Sequence, residues 1–279
     1  MTVERLSTIR VEKPWGRRQL WPGFTDPGLT DPPIGEVWFD APPGADPELM
    51  VKYLFTSDRL SIQVHPNDAQ AHAAGLRRGK EEAWIVLAAD PGATIGLGTL
   101  RPLNADELRA AALDGSIEQL LDWKPVAAGD VIYSSAGTVH AIGAGVTLIE
   151  VQQNIDLTYR LYDYGSAREL HLEEGVAVSN AAPFNRTPGT HPLGPDRMAL
   201  VSGQKFVVEQ WRWSGGRMAH LPSDCPAWLI PVSGSGTCDG QAWRAGECWM
   251  MSGDVDITLQ PGADVLFAYA GPTPLETLF

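Results

Sequence analysis

The chain is patterned in short strands. From Leu60 to Pro66 the sequence LSIQVHP alternates, with Leu60, Ile62 and Val64 apolar and Ser61, Gln63 and His65 polar. Successive strand side chains face opposite sides. The stretch therefore predicts one packing edge and one edge of aligned polar groups, ended by a proline. Further β-type runs are EVWFD (36–40), LMVKYLF (49–55), EAWIVLAA (82–89), DVIYSS (130–135), VTLIEVQQ (146–153) and LTYRLYDY (157–164), punctuated by glycine, proline and aspartate. Helical pattern is sparse. Asn67–Leu76 follows the proline, and Asn104–Trp123 begins with a capping Asn and Glu107 at the third helical position. Gly115 and Ser116 are expected to split the second stretch.

Residues 181–196, AAPFNRTPGTHPLGPD, have no period and read as a linker. More β-type runs follow: KFVVEQWRW, AWLIPVSG, GTCDGQAWRAGECWMM, VDITL and VLFAYA, with a G-x-G hairpin expected at Gly234 and Gly236. The organisation predicted is mainly β, two β-sandwich or jelly-roll domains. The first, 1–180, carries a small helical insertion (about 66–78 and 104–123), and the second spans 197–279. The tryptophans of the second domain, Trp211, Trp213, Trp228, Trp243 and Trp249, are expected in its core.

The 29 glycines and 22 prolines suit such a turn-rich chain. A formal net charge of −13 argues against general binding to nucleic acid or acidic membranes. It leaves room for a small phosphorylated ligand held by a few local cations. The amino terminus lacks the apolar run of a signal peptide, and no stretch is long and apolar enough for a membrane helix. Cys225, Cys238 and Cys248 are odd in number and lack C-x-x-C spacing, which reads as reduced thiols in a cytoplasmic protein.

Chemistry gathers on the polar strand edge. Gln63 and His65 share a face, Glu82 opens EAWIVLAA, and His140 follows the turn SSAGT. Four oxygen and nitrogen donors from three β regions suit a divalent zinc, manganese, iron or nickel ion with a position open to substrate. The same residues also read as polar groups with no ion. Glu81 reads as part of a solvated turn, and Lys80 as turn or pocket. Glu150, on a strand of Val, Leu and Ile, needs a buried partner, for which Arg160 is the obvious one. His72, His171, His191 and His220 read as exposed or structural.

KPWG (13–16), LSIQVHPND, GKEEAWIVL, SAGTVHAIG and VTLIEVQQNIDLTYRLYDYG occur in this order. Together they resemble the type I phosphomannose isomerases, in their short bacterial form, over about Lys13 to Gly165. The resemblance implies a cupin fold and a metal-dependent enzyme, usually with one Zn2+, interconverting mannose 6-phosphate and fructose 6-phosphate. It implies Gln63, His65, Glu82 and His140 as metal ligands. Lys80, Glu150 and Arg160 would be catalytic, with Glu150 or Lys80 as the base. Ser61, Trp15, Lys80 and Arg160 would line the sugar site. The hexose phosphate would be the partner, met by a monomer or weak homo-oligomer.

One departure stands out. Larger members carry a lysine soon after the T-Y-R arginine that helps bind phosphate. Here LYDYGSARELHL follows, and the nearest cation is Arg168. Either Arg168 takes the phosphate with its planar fork, or the substrate is an unphosphorylated sugar such as mannose. A non-catalytic cupin that binds sugar or metal is the alternative from another class. Lys80, Glu150 and Arg160 weigh against it, because a binder needs no proton carrier beside a metal.

Overall fold

The computed structural model describes residues 2–185 and 189–279. Residues 186–188, in the middle of the expected linker, lie outside the described residues. The fold is mainly β, as expected, and its sheets lie in four layers.

The outermost N-terminal layer is a five-stranded sheet. Its strands run in the order Tyr159–Tyr162, Ile62–Val64, His140–Ile142, Thr94–Thr99 and Leu121–Pro125. Next is a six-stranded sheet of Ser7–Arg17, Ile34–Asp40, Leu49–Phe55, Val146–Gln153, Glu82–Ala89 and Val131–Ser134. Leu54, Trp84, Val86, Ile95, Leu97, Ile142 and Leu148 form a core shared by these two sheets. The other face of the six-stranded sheet packs on a seven-stranded sheet, through Val51, Tyr53, Ile85 and Ile149 on one side and Val208, Trp228, Ile230 and Leu266 on the other. That sheet and a four-stranded one enclose a last core rich in tryptophan: Trp211, Trp213, Trp243 and Trp249. Trp228 belongs instead to the core between the two middle sheets.

The strand pattern carries through at 82–89 and 146–153, whose bounds match the runs read from sequence. The helix Asp68–Ala73 is capped by Asn67, and Ala105–Asp114 by Asn104 with Glu107 in a reciprocal capping box. Gly115 takes the left-handed conformation and ends that helix, as expected. The second piece is only Ile117–Leu120, and Trp123 lies in the strand Leu121–Pro125 rather than in a helix. A further helix, Leu172–Val178, packs beside Ala105–Asp114, and both cover the outside of the five-stranded sheet through Ile62, Val64, Leu108 and Val176.

Gly234 does not make a hairpin. Ala227–Ser233 and Ser235–Cys238 belong to different sheets, so Gly234, at positive φ, turns a corner between layers. The hairpin lies one strand later, between Ser235–Cys238 and Gln241–Arg244, through Asp239–Gly240. The first strand, Thr2–Arg5, joins the seven-stranded sheet by pairing with Trp249–Ser252. Among the described residues no helix is long and apolar enough to cross a membrane.

Candidate metal centre

The alternation of 60–66 is used in an unusual sense. Ile62 and Val64 point outward, under the helices. Ser61, Gln63 and His65 point inward, between the two sheets. His140 pairs across from Gln63 on one side and Arg160 on the other, so the three share that inner face. Glu82 comes from the opposing sheet, at the start of its strand.

His65, Glu82 and His140 are buried, and their ligand atoms all lie within 4.8 Å of one another. His65 Nε2 touches Glu82 Oε1, while Lys80 Nζ and His140 Nε2 lie 3.5 and 3.6 Å from the same oxygen. Despite these neighbours, Glu82 Oε1 has no aligned hydrogen-bond donor. His140 Nδ1 donates to the Thr138 carbonyl at 2.9 Å, which leaves its Nε2 lone pair facing the cluster. The Gln63 amide nitrogen approaches that lone pair at 3.2 Å, and Ser61 Oγ donates to Gln63 Oε1 at 3.4 Å. Turning the amide over brings its oxygen to the cluster as a fourth donor.

Protonation suits a cation. Burial, with Lys80 adding to it, holds the His65 imidazole down to about 3, and burial lowers His140 too. Both rings are therefore neutral ligands near pH 7. Burial pushes the Glu82 carboxyl up, but the Lys80 ammonium beside it outweighs this and pulls the group well below the usual range. Two neutral imidazoles, a carboxylate with an orphaned oxygen and a reversible amide fit a divalent metal such as zinc.

The cluster adjoins, through Gln63 and Lys80, a cavity of about 280 Å³. All of Trp15, Ser61, Gln63, Lys80, Glu150, Arg160 and Arg168 line it. Lys80 and Gln63 belong to both, since Lys80 Nζ is also 3.4 Å from His65 Nε2. Neither Lys80 nor Glu81 is a solvated turn residue. Both are buried, and Glu81 accepts a hydrogen bond from Tyr133. The chain can run so closely there because residue 79 is glycine, and a Cβ on it would collide with the backbone of 66–68.

The partner of Glu150 is not Arg160 but Lys52, directly opposite on the neighbouring strand, with Nζ 2.9 Å from Glu150 Oε1. Trp38, Lys52, Glu150 and Trp84 form one row across the six-stranded sheet. Glu150 Oε2 accepts from Trp84 Nε1 at 2.9 Å, and Lys52 also lies 3.5 Å from Glu36. Burial raises the Glu150 carboxyl above its usual value, against the pull of Lys52. Burial of Lys52 is outweighed by Glu150 and Glu36, and its ammonium is held more firmly than usual.

Lys13, Glu36, Trp38, Lys52 and Asp156 line the cavity too and were not singled out by sequence. A lysine in the centre of LMVKYLF was the available signal, since a charge inside an apolar strand needs a buried partner. In all, five cations (Lys13, Lys52, Lys80, Arg160, Arg168) face three carboxylates (Glu36, Glu150, Asp156) in the cavity wall. A chain of net charge −13 thus presents a locally positive pocket. Arg168 does not offer an open fork: its Nε and Nη2 both donate to the buried Asp163, the former at 2.7 Å. The backbone N–H of Arg160 donates to His171 Nδ1 at 3.4 Å, a support that sequence did not indicate.

A His–Glu–His cluster beside a polar, cationic cavity between two β-sheets defines a layered β protein with a candidate metal centre. No protein-family model matches the sequence. The mannose-6-phosphate isomerase of Streptococcus mutans is 36% identical over 231 residues, which span 75% of this chain and 72% of that protein. The structure of the mannose 6-phosphate isomerase from Bacillus subtilis superposes with a TM-score of 0.80 at 23% identity, over 96% of this chain and 99% of the other. A zinc-bound mannose 6-phosphate isomerase structure superposes with a TM-score of 0.73 at 15% identity, over 97% and 100%. The chain belongs to the mannose-6-phosphate isomerase family.

Proposed function

We propose that this protein interconverts mannose 6-phosphate and fructose 6-phosphate with one divalent ion, Zn2+, held by Gln63, His65, Glu82 and His140. The observation that carries the reading is the joining of cluster and cavity, with the His–Glu–His set opening through Gln63 and Lys80 onto a wall of positive charge. When bound, the ion supplies a Lewis acid beside the sugar's O1 and O2. The remaining work falls to the chain. Glu150 takes the proton from C2 of the aldose and returns it at C1, while the O2 hydroxyl proton passes to O1 through the enediol, so that the carbonyl moves from C1 to C2. Its burial and raised pKa suit a base working near neutrality, and Lys52 orients it. Lys80 and Arg160 add fixed positive charge where the enediol's oxygens become negative. Ser61 and Trp15 shape the sugar site. Arg168 and Lys13 stand where the cavity meets an outer cleft of about 720 Å³, a suitable place for the phosphate. Free thiols at all three cysteines support a cytoplasmic setting.

The unphosphorylated-sugar reading has one observation behind it, the engagement of Arg168 by Asp163. A coupled assay with mannose 6-phosphate and with mannose, on zinc-loaded and chelated protein, decides. Turnover of mannose 6-phosphate that is lost on chelation and regained with zinc is expected. No turnover of either sugar by protein with zinc bound overturns the isomerase reading. Turnover of mannose alone selects the second reading.

A further inference from the structure

The segment Gly79–Glu82 brings Lys80 and Glu82 to the metal cluster, and one turn of the C-terminal half reaches both of its sides. Asp68, the first residue of its helix, accepts from the Gly79 N–H at 2.7 Å and from Gln153 Nε2 at 3.0 Å through Oδ1. Its other oxygen, Oδ2, accepts from Lys205 Nζ at 2.6 Å. Lys205 lies in the turn between the strands Arg197–Ser202 and Phe206–Trp211. The same turn supports the far side of the segment. Glu81 bonds Tyr133, whose ring packs on Phe206 with centroids 5.6 Å apart. Gly203 lies so close to that ring that a Cβ there would collide with it. Gln153 closes the frame: its amide oxygen accepts from the Glu81 N–H, and its own N–H donates to the Glu81 carbonyl, each at 3.1 Å.

We infer that the turn 203–205 is a positioning element of the metal site, with Lys205 acting through Asp68 to hold the Gly79–Glu82 segment in the place that Lys80 and Glu82 require. This rests on the reading of the site as that of a metal-dependent isomerase. An ordinary half-exposed ion pair contributes little. Lys205–Asp68 differs because the same carboxylate anchors the backbone of Gly79. Lacking Lys205, Asp68 keeps only its Oδ1 bonds to Gly79 and Gln153, and the anchor loosens. Small displacements of a ligand or charged group are costly in a preorganised site. The inference also gives the C-terminal half a part in catalysis without placing any of its residues in the cavity.

The test compares full-length wild type, Lys205→Met and Lys205→Arg. In metal-free protein, hydrogen exchange of the amides of residues 79–82 is expected to be about tenfold faster in Lys205→Met and restored in Lys205→Arg. In zinc-loaded protein, Lys205→Met is expected to lose zinc to a chelator about tenfold faster and to lower kcat about tenfold, with KM changed by less than about twofold. Unchanged exchange at 79–82 overturns the inference. So does faster exchange with wild-type zinc retention and kcat, and so does failure of Lys205→Arg to restore both. Failure of the isomerase reading shows differently, as wild-type protein that takes up no zinc or turns over no sugar while the exchange difference at 79–82 persists.

Discussion

Glu82-Ala-Trp84 in the N-terminal sandwich and Glu209-Gln-Trp211 in the C-terminal one are the same device in sequence. In both, glutamate and tryptophan share a strand face two residues apart, and the indole N–H donates to the carboxylate, at 3.2 and 2.7 Å. Both glutamates are buried, but their surroundings differ. Glu209 is saturated: Arg197 grips both oxygens at 2.7 and 2.8 Å, and the Tyr269 hydroxyl donates at 2.6 Å. Glu82 keeps an oxygen without an aligned donor, among two imidazoles and an ammonium. A saturated buried carboxylate fixes a core, whereas an unsaturated one is left able to bind something else. The device also recurs at Glu36–Trp38 and Glu247–Trp249, so the motif alone does not mark a site.

That contrast is open to direct attack, beginning where the effect is largest. Glu82→Gln is expected to lower kcat/KM for mannose 6-phosphate by roughly 10³-fold, together with zinc content measured by metal analysis. Lys52→Met should cost about 10²-fold in kcat through loss of control over Glu150. The sign of its pH effect follows from the charges. Burial raises the Glu150 carboxyl and Lys52 opposes that rise. With the lysine gone the carboxyl rises further, so the acid limb of the pH–kcat/KM profile moves to higher pH. A limb that stays in place removes Glu150 as the base. Arg168→Ala is expected to raise KM for mannose 6-phosphate about tenfold with kcat nearly kept, because it loses binding that ground and transition states share. Glu209→Gln should leave both kinetic constants as they are. It should instead lower the unfolding free energy in a denaturant titration by about 3 kcal/mol, by stranding the Arg197 charge. If Glu209→Gln impaired catalysis and left stability untouched, the comparison would fail.

The legible and illegible parts of the sequence divide along physical lines. The polar edge Ser61–Gln63–His65 was visible because a period of two survives in a strand with unlike faces. Which face looked inward was not, since the helix Leu172–Val178 that covers Ile62 and Val64 carries no clear amphipathic signature. The strand Thr94–Thr99 was missed because glycines replace its packing residues: Gly96 is crowded by Leu121 and Gly98 by Phe184. Glu82 and His140 stood out as candidate donors from the residues alone, but only the family resemblance favoured a metal over polar groups with no ion. The partnership of Glu150 with Lys52 depends on strands almost a hundred residues apart lying side by side, which no local pattern reports. The burial of Glu81 has the same origin, for Tyr133 reaches it from a neighbouring strand.

The pairing of Thr2–Arg5 with Trp249–Ser252 bears on how the protein comes to be folded. A strand made early in synthesis must wait for one made some 250 residues later before its hydrogen bonds can form. Contacts of such long sequence separation close late and slow folding. Until then the apolar face of the six-stranded sheet, Val51, Tyr53, Ile85 and Ile149, also lacks the cover it later finds on the C-terminal sheet. A nascent chain halted before residue 200 would therefore expose a broad sticky surface and depend on chaperones. The sandwich that holds the His–Glu–His cluster is made before the sheet that covers it, yet it cannot be finished first.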